Sequence, residues 1–504
     1  MTRMRIKIAV VAAIVAGLVI SSVATSLIVH WKAANAASAA RDPEPPFKFS
    51  RPVAKTGNTN QPLSGADING LAGFTSNIPI LVLRNESPGP VSRSKTYSSF
   101  KLEIYEPGTN EPARLGHAPT VSTRAGLRVR GMVSRLFPKL SYRLKLRDET
   151  DASRARSLLG MPADADWVLQ GPWLDKSLIR NAFSYDLARA MDCAAMRTRA
   201  CELFLSTSGQ PVAEADYLGV YQLIEDIERG EQRVNLAKLA PEENSEPAIT
   251  GGYLLAWDVG DGTYLRRWKS IQVKYPNQPS REQMAWIDGA FTRFDEALKG
   301  QDFRDPIKGY TAHIEVDDWV NYVLFEEFVF NLDGYVRSFY LQKDRGGKIR
   351  PGPVWDHDLG LGHQFPRGTS FTQWWYVERN APHGWITRLV ADPDFVAKMA
   401  RRWVTLRQDV LSEAQIEARL DVFAAPLLSG AADRNFQRWK ILDVERPFKP
   451  DGYITIATAT YPEQIVALKK FLRQRAAWID ATLAGLTLRQ HDVKDRLPGP
   501  SRTD

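Results

Sequence analysis

Near Gln278 the hydrophobic period of this chain changes from two residues to about 3.6, and with it the kind of structure the chain can form. Upstream, across residues 78–271, the pattern is that of half-buried antiparallel strands. Ile80-Leu81-Val82-Leu83 is a short apolar run, Leu127 and Val129 alternate, and Tyr142, Leu144 and Leu146 oppose Arg143, Lys145 and Arg147. One helix interrupts them: Leu178, Ile179, Ala182, Phe183, Leu187, Ala188 and Met191 recur at helical spacing behind Asp175, a capping candidate. Strand signals resume at 218–224 and 252–256. Downstream, Met284, Ile287, Phe291, Phe294 and Leu298 mark one helix, Val316 to Phe330 another, and Pro462 to Ile479 a last one. A strand-rich half followed by a helix-rich half implies an α+β architecture with two lobes.

Residues 8–29 form an uncharged run of about 22 residues, close to what a helix needs to span a bilayer core. Arg3, Arg5 and Lys7 precede it, so the expected orientation is N-in, with everything after Trp31 exported. The rival reading is a signal peptide cleaved within the small residues 33–40, and it exports the chain equally. Residues 1–32 are thus read as a membrane anchor and 33–77 as a proline-rich linker. Once exported, Cys193 and Cys201 are either a disulfide or two buried thiols.

With 44% apolar and 25% charged residues among 504, the remainder is a globular chain rather than a disordered one. Two cysteines and 7 histidines leave little for a thiolate or imidazole metal centre, so any metal is expected on oxygen. The net charge of +8 is spread along the chain, and no nucleic-acid partner is expected. No G-x-x-x-x-G-K-[ST] or G-x-S-x-G occurs, which excludes a P-loop and disfavours a serine hydrolase.

The chemistry-bearing stretch is Asn331-Leu-Asp333 through Trp355-Asp356-His357-Asp358. Strand-like runs flank Arg345-Gly346-Gly347, so a hairpin centred near Gly346 pairs residues whose numbers sum to about 692 and brings Asp333, Asp356 and Asp358 to one end. Crowded carboxylates repel unless a cation or proton intervenes, and Mg²⁺ is held by one or two carboxylates with substrate phosphates completing its shell. An EF-hand fails, because Gly360 and Arg367 stand where ligands belong. A second stretch, from Arg128 and Arg130-Gly131 through Ser134, Lys139, Arg143 and Lys145, puts cations on outward strand faces suited to a polyanion.

The order of these pieces resembles the CotH kinase family, atypical protein kinases named for a spore coat protein. R-G-x-S, F-P-K and Y-R-x-K-L are matched, with looser spacing, at Arg130, Gly131, Ser134, Phe137, Pro138, Lys139, Tyr142, Arg143 and Lys145. L-x-R-N-A-x-x-Y-D-L-A is matched at Leu178, Arg180, Asn181, Ala182, Tyr185, Asp186, Leu187 and Ala188, and further blocks follow at 219–225, 251–255, 274–276 and the aspartate segments. The resemblance runs over residues 78–362. It implies a two-lobed protein-kinase-like fold, placed here over 78–390; by their own pattern, residues 391–488 read as a helical extension and the polar residues 489–504 as a loose tail. It implies Asp333 as the base or hydroxyl-orienting residue, Asp356 and Asp358 as ligands of Mg²⁺ or Mn²⁺, and ATP phosphates held by Lys139 or Lys145 with Arg130 and Ser134. Glu225 is expected near the hinge. The implied activity is γ-phosphoryl transfer to Ser or Thr of an exported or envelope protein by a single-pass membrane protein whose main domain is periplasmic or extracellular. The alternative is a kinase-fold scaffold for envelope or polysaccharide assembly, with Trp374-Trp375-Tyr376 stacking on sugars. The chain departs from the family pattern at Ser338, where asparagine is common, at Leu140, at Met132 and Val133, and at His357, where Phe or Leu is common.

Overall fold

The structure, a computed structural model, describes residues 71, 73–258, 263–364, 368–379, 384–448 and 453–494. The expected anchor at 8–29 and most of the linker fall outside the described residues. Among the described residues no helix is long and apolar enough to cross a membrane.

Seven strands close a barrel: β1 (Ile80–Asn85), β2 (Ser98–Tyr105), β3 (Val121–Arg130), β4 (Ser141–Arg147), β5 (Asp166–Gln170), β6 (Thr198–Ser206) and β7 (Tyr217–Glu225). Neighbours run antiparallel in the order β6-β7-β5-β4-β3-β2-β1, and the parallel pairing of β6 with β1, Glu202 opposite Ile80, closes the ring. Closure needs alternation, and β4 has it: Tyr142, Leu144 and Leu146 point inward while Arg143, Lys145 and Arg147 stay half-buried outside. The interior is filled by Phe100, Leu102, Leu127, Leu144, Trp167 and Leu203, all at 0% exposure, so truncating any of the leucines to alanine costs about 2–5 kcal/mol. Cys193 and Cys201 are buried as two free thiols.

The expected interrupting helix is α1 (Arg180–Ala190). Its N-cap is Ile179, without a side-chain cap, and the expected cap Asp175 instead accepts the Arg180 N–H on Oδ2 at 2.8 Å from five residues upstream. Beyond the barrel a five-stranded sheet forms from β8 (Tyr253–Trp257), β9 (Thr263–Tyr264), β10 (Ile271–Tyr275), β11 (Phe339–Lys343) and β12 (Ile349–Pro351), in the order β9-β10-β8-β11-β12. The β11–β12 hairpin has the expected register, Leu341 opposite Pro351 and Lys343 opposite Ile349. Between these strands lie α2 (Arg281–Lys299), whose Ser280 and Gln283 form a capping box, and α3 (Val316–Val329), buried along nearly its whole length.

The C-terminal part is helical: α4 (Pro393–Gln408), α5 (Glu413–Leu428), α6 (Ala431–Arg438) and α7 (Tyr461–Lys494). Its polar groups reach deep into the rest. Arg475 of α7, 0% exposed, donates to the Glu327 backbone oxygen at 2.8 Å and pairs with its carboxylate at 3.2 Å. Tyr461 donates to the Ser177 oxygen.

Candidate active site

Two loops meet at the N-terminal end of α1. The first follows α3 and carries Asn331 and Asp333; the second follows β12 and carries Asp356 and Asp358. α1 grips the second loop with three side chains from its first two turns. Tyr185 Oη accepts the Asp356 N–H at 2.9 Å, Asn181 Oδ1 accepts the His357 N–H at 2.6 Å, and Arg180 donates to the oxygens of Gly360 at 3.2 Å and Leu361 at 3.3 Å. Arg180 is fully buried and is neutralised by Asp175 at 2.7 Å. Asn331 ties the loops together, its Nδ2 donating to the Asp356 oxygen at 3.2 Å while its Oδ1 accepts the Asp333 N–H at 3.2 Å. Leu178, Phe330, Tyr335, Ser338, Asp356 and Leu361 all have positive φ, a strained state for side-chain-bearing residues that concentrates around these loops.

The electrostatics follow from this crowding. Burial pushes the Asp358 carboxyl well above the usual range, and the negative charges of Asp356, Asp175 and Asp333 add to it against the pull of Arg180. Burial also raises Asp356, with Arg130 opposing and Asp258 reinforcing. Arg130, the last residue of β3, lies over the Trp355 ring at 5.4 Å, so the barrel presents a cation beside the aspartate loop. The same face extends along β4, where Arg143 pairs with Asp226 at 2.8 Å, and reaches the second sheet, where Tyr340 feels Asp258, Asp226, Arg130 and Arg143. Lys274 faces Asp258, Arg143 and Asp226, and burial lowers its ammonium. Oxygen donors of this kind are the sort a hard divalent cation such as Mg²⁺ or Mn²⁺ takes, and Asp356 and Asp333 act on Asp358 by charge, but among the described residues the acidic trio whose oxygens all lie within 4.8 Å of one another is Asp164, Asp166 and Glu228.

The expected site residues therefore divide. Asp333, Asp356, Asp358 and Arg130 are brought together. Ser134 Oγ folds back over Gly131, where a Cβ would sit 1.8 Å from it. Lys145 lies on the outer barrel face but is paired with Asp166 at 2.9 Å. Lys139 is not brought to the cluster: it is 1% exposed, and its Nζ donates to the Val220 oxygen at 2.6 Å and to Asn435 Oδ1 at 2.7 Å. Burial holds its ammonium well below the ordinary range. Glu225 is buried at the end of β7 and accepts the Arg197 N–H at 2.8 Å and its guanidinium at 2.6 Å. Trp374, Trp375 and Tyr376 are all buried, which removes the exposed sugar-stacking platform considered for them; Trp374 packs edge-on against Trp478 at 5.0 Å.

Other site residues carried no functional signal by spacing. Asp175, Asn181 and Tyr185 sit within or beside a matched motif, yet only the fold shows that they hold the aspartate loop. Asp226, Asp258 and Tyr340 come from three separate elements. A further acidic group, Asp164, Asp166 and Glu228, has carboxylate oxygens within 4.8 Å of one another, and burial followed by its two neighbours pushes Glu228 up to about 8. Lys145 and Arg233 answer its charge.

No curated protein matches the chain. A family model described as CotH kinase protein matches residues 127–479, which takes in the barrel from β3 onward, both aspartate loops and the helices through most of α7. That span is most of the chain, and the chain belongs to the CotH kinase family.

Proposed function

We propose that this protein transfers the γ-phosphoryl group of ATP to a serine or threonine hydroxyl of an exported or envelope protein, from a membrane-anchored position outside the cytoplasm. The convergence of Asp333, Asp356 and Asp358 beside Arg130 carries the reading, since a scaffold has no reason to hold three carboxylates together at an electrostatic cost. Asp356 and Asp358 would hold Mg²⁺ or Mn²⁺, which when bound neutralises phosphate charge and orients the nucleotide. Asp333, on the opposite loop, would orient the acceptor hydroxyl and receive its proton. Arg130 would meet phosphate oxygens from the barrel side, with Ser134 above it. Of the two lysines Lys145 is the phosphate candidate, on the outer face with Arg143, while Lys139 is an internal strut.

The test is Mg²⁺-dependent ATP binding and phosphoryl transfer by the purified protein beside Asp333→Asn and Asp356→Ala. Asp333→Asn should bind nucleotide with near-native affinity and lose transfer by about 10²-fold or more. Asp356→Ala should lose metal-dependent binding. A folded wild-type protein that binds no nucleotide would return the chain to the scaffold alternative.

A further inference from the structure

His357 separates the two aspartates of the second loop, and its side chain turns away from them into the protein. It is 1% exposed, packed against Tyr185 with ring centroids at 6.1 Å and Phe325 at 5.1 Å, and its Nε2 lies 3.0 Å from Glu326 Oε1. Nε2 and Oε1 share a hydrogen bond whose direction the imidazole tautomer sets. Glu326 is a residue of α3 and only 2% exposed. Its other oxygen borders the first loop: a Cβ on Gly334, the residue after Asp333, would meet Glu326 Oε2 at 2.9 Å. One buried carboxylate is thus bonded through Oε1 to the residue between Asp356 and Asp358 and has Oε2, without a hydrogen-bond partner, close beside the residue after Asp333. Burying an acid and an imidazole among aromatic rings is costly, and apolar residues would fill the same volume more cheaply. What the polar pair adds is a fixed direction.

We propose that Glu326 and His357 are positioning residues that set the spacing between Asp333 and the Asp356–Asp358 pair. The inference rests on the metal-binding reading of those aspartates. Asn331 also ties the loops, and the Leu361 N–H donates to the Val329 oxygen at 2.8 Å at their base, so the pair acts as the outer shell that orients carboxylate ligands.

The experiment measures Mn²⁺ binding to the full chain by electron paramagnetic resonance, together with thermal unfolding, for the wild type, His357→Phe, Glu326→Gln and the double variant His357→Phe/Glu326→Leu. His357→Phe strands a buried carboxylate and should weaken Mn²⁺ binding about 10–100-fold while lowering the melting temperature. Glu326→Gln keeps a hydrogen-bonding partner for Nε2, since its amide can accept or donate, and should stay within about twofold of wild type in Mn²⁺ affinity. The double variant removes both polar groups and should recover the melting temperature but not the Mn²⁺ affinity. Recovery of both would make the pair a packing element and overturn the proposal, as would native Mn²⁺ affinity in His357→Phe. A wild type that binds no Mn²⁺ would instead bring down the metal reading, and this inference with it. Should His357→Phe not fold, the other two variants carry the comparison.

Discussion

Lys176 shows how one residue's surroundings set a measurable behaviour. It is 1% exposed, its Nζ donates to the Val444 oxygen at 2.8 Å, and burial pulls its ammonium from 10.5 down to about 7, with Arg180 helping and Asp443 and Glu445 opposing. Between about pH 7 and 10.5 the unfolded chain holds a proton that the folded protein has released, so this residue makes stability rise with pH across that window. Below it the full cost of burying the charge is present. Lys176→Met should therefore stabilise the protein most near about pH 6, with the gain shrinking toward about pH 9, as read from urea midpoints. A gain that grows with pH would contradict this account. At the same scale, Asp333, Asp356 and Asp358 were legible in the sequence because a hairpin's pairing arithmetic is local. Lys139 was not, because its partner Asn435 lies 296 positions away and no spacing rule reaches that far.

At the scale of elements, the connection between β3 and β4 is built around Gly131, at φ +97°, with Ser134 Oγ where a side chain would begin. Gly131→Ala forces this turn to rearrange at about 1–3 kcal/mol of strain. The barrel pairs on either side, Arg130 opposite Ser141 and Val129 opposite Tyr142, do not depend on that turn. The variant should keep its melting temperature within a few degrees yet bind ATP about tenfold more weakly, as titration calorimetry would show; unchanged affinity would remove this turn from the nucleotide site. The strands themselves were readable, since β4 displays its alternation openly. α1 is legible as a helix from its apolar face. Its functional content, Arg180, Asn181 and Tyr185, occupies the buried polar positions that an apolar period passes over.

For the whole molecule the deciding contact is Arg475 with Glu327. The Glu327 carboxylate also accepts the N–H groups of Trp375 at 2.6 Å and Tyr376 at 2.9 Å and the Tyr335 hydroxyl at 3.0 Å. It thereby joins α3, α7, the short helix Trp375–Arg379 and the turn after Asp333. Arg475→Met leaves that carboxylate buried and short of its cation, at an expected cost of about 3–5 kcal/mol by equilibrium unfolding. A loss below about 1 kcal/mol would show that α7 is an appendage rather than a wall against which α3 and the aspartate loops are built.

The sequence alone determined the α+β class, the strand-rich first part and the hairpin near Gly346 with an aspartate segment at each end, because each follows from periodicity or turn geometry between near neighbours. Only the tertiary structure decided which cations face those aspartates. Arg130 and Lys139 stand nine positions apart in one motif-rich stretch with the same charge, yet one ends beside Trp355 and the other inside the protein under Val220 and Asn435. The difference is where distant backbone folds over each amine or guanidinium, and burial of that kind is a property of packing, not of the local chain.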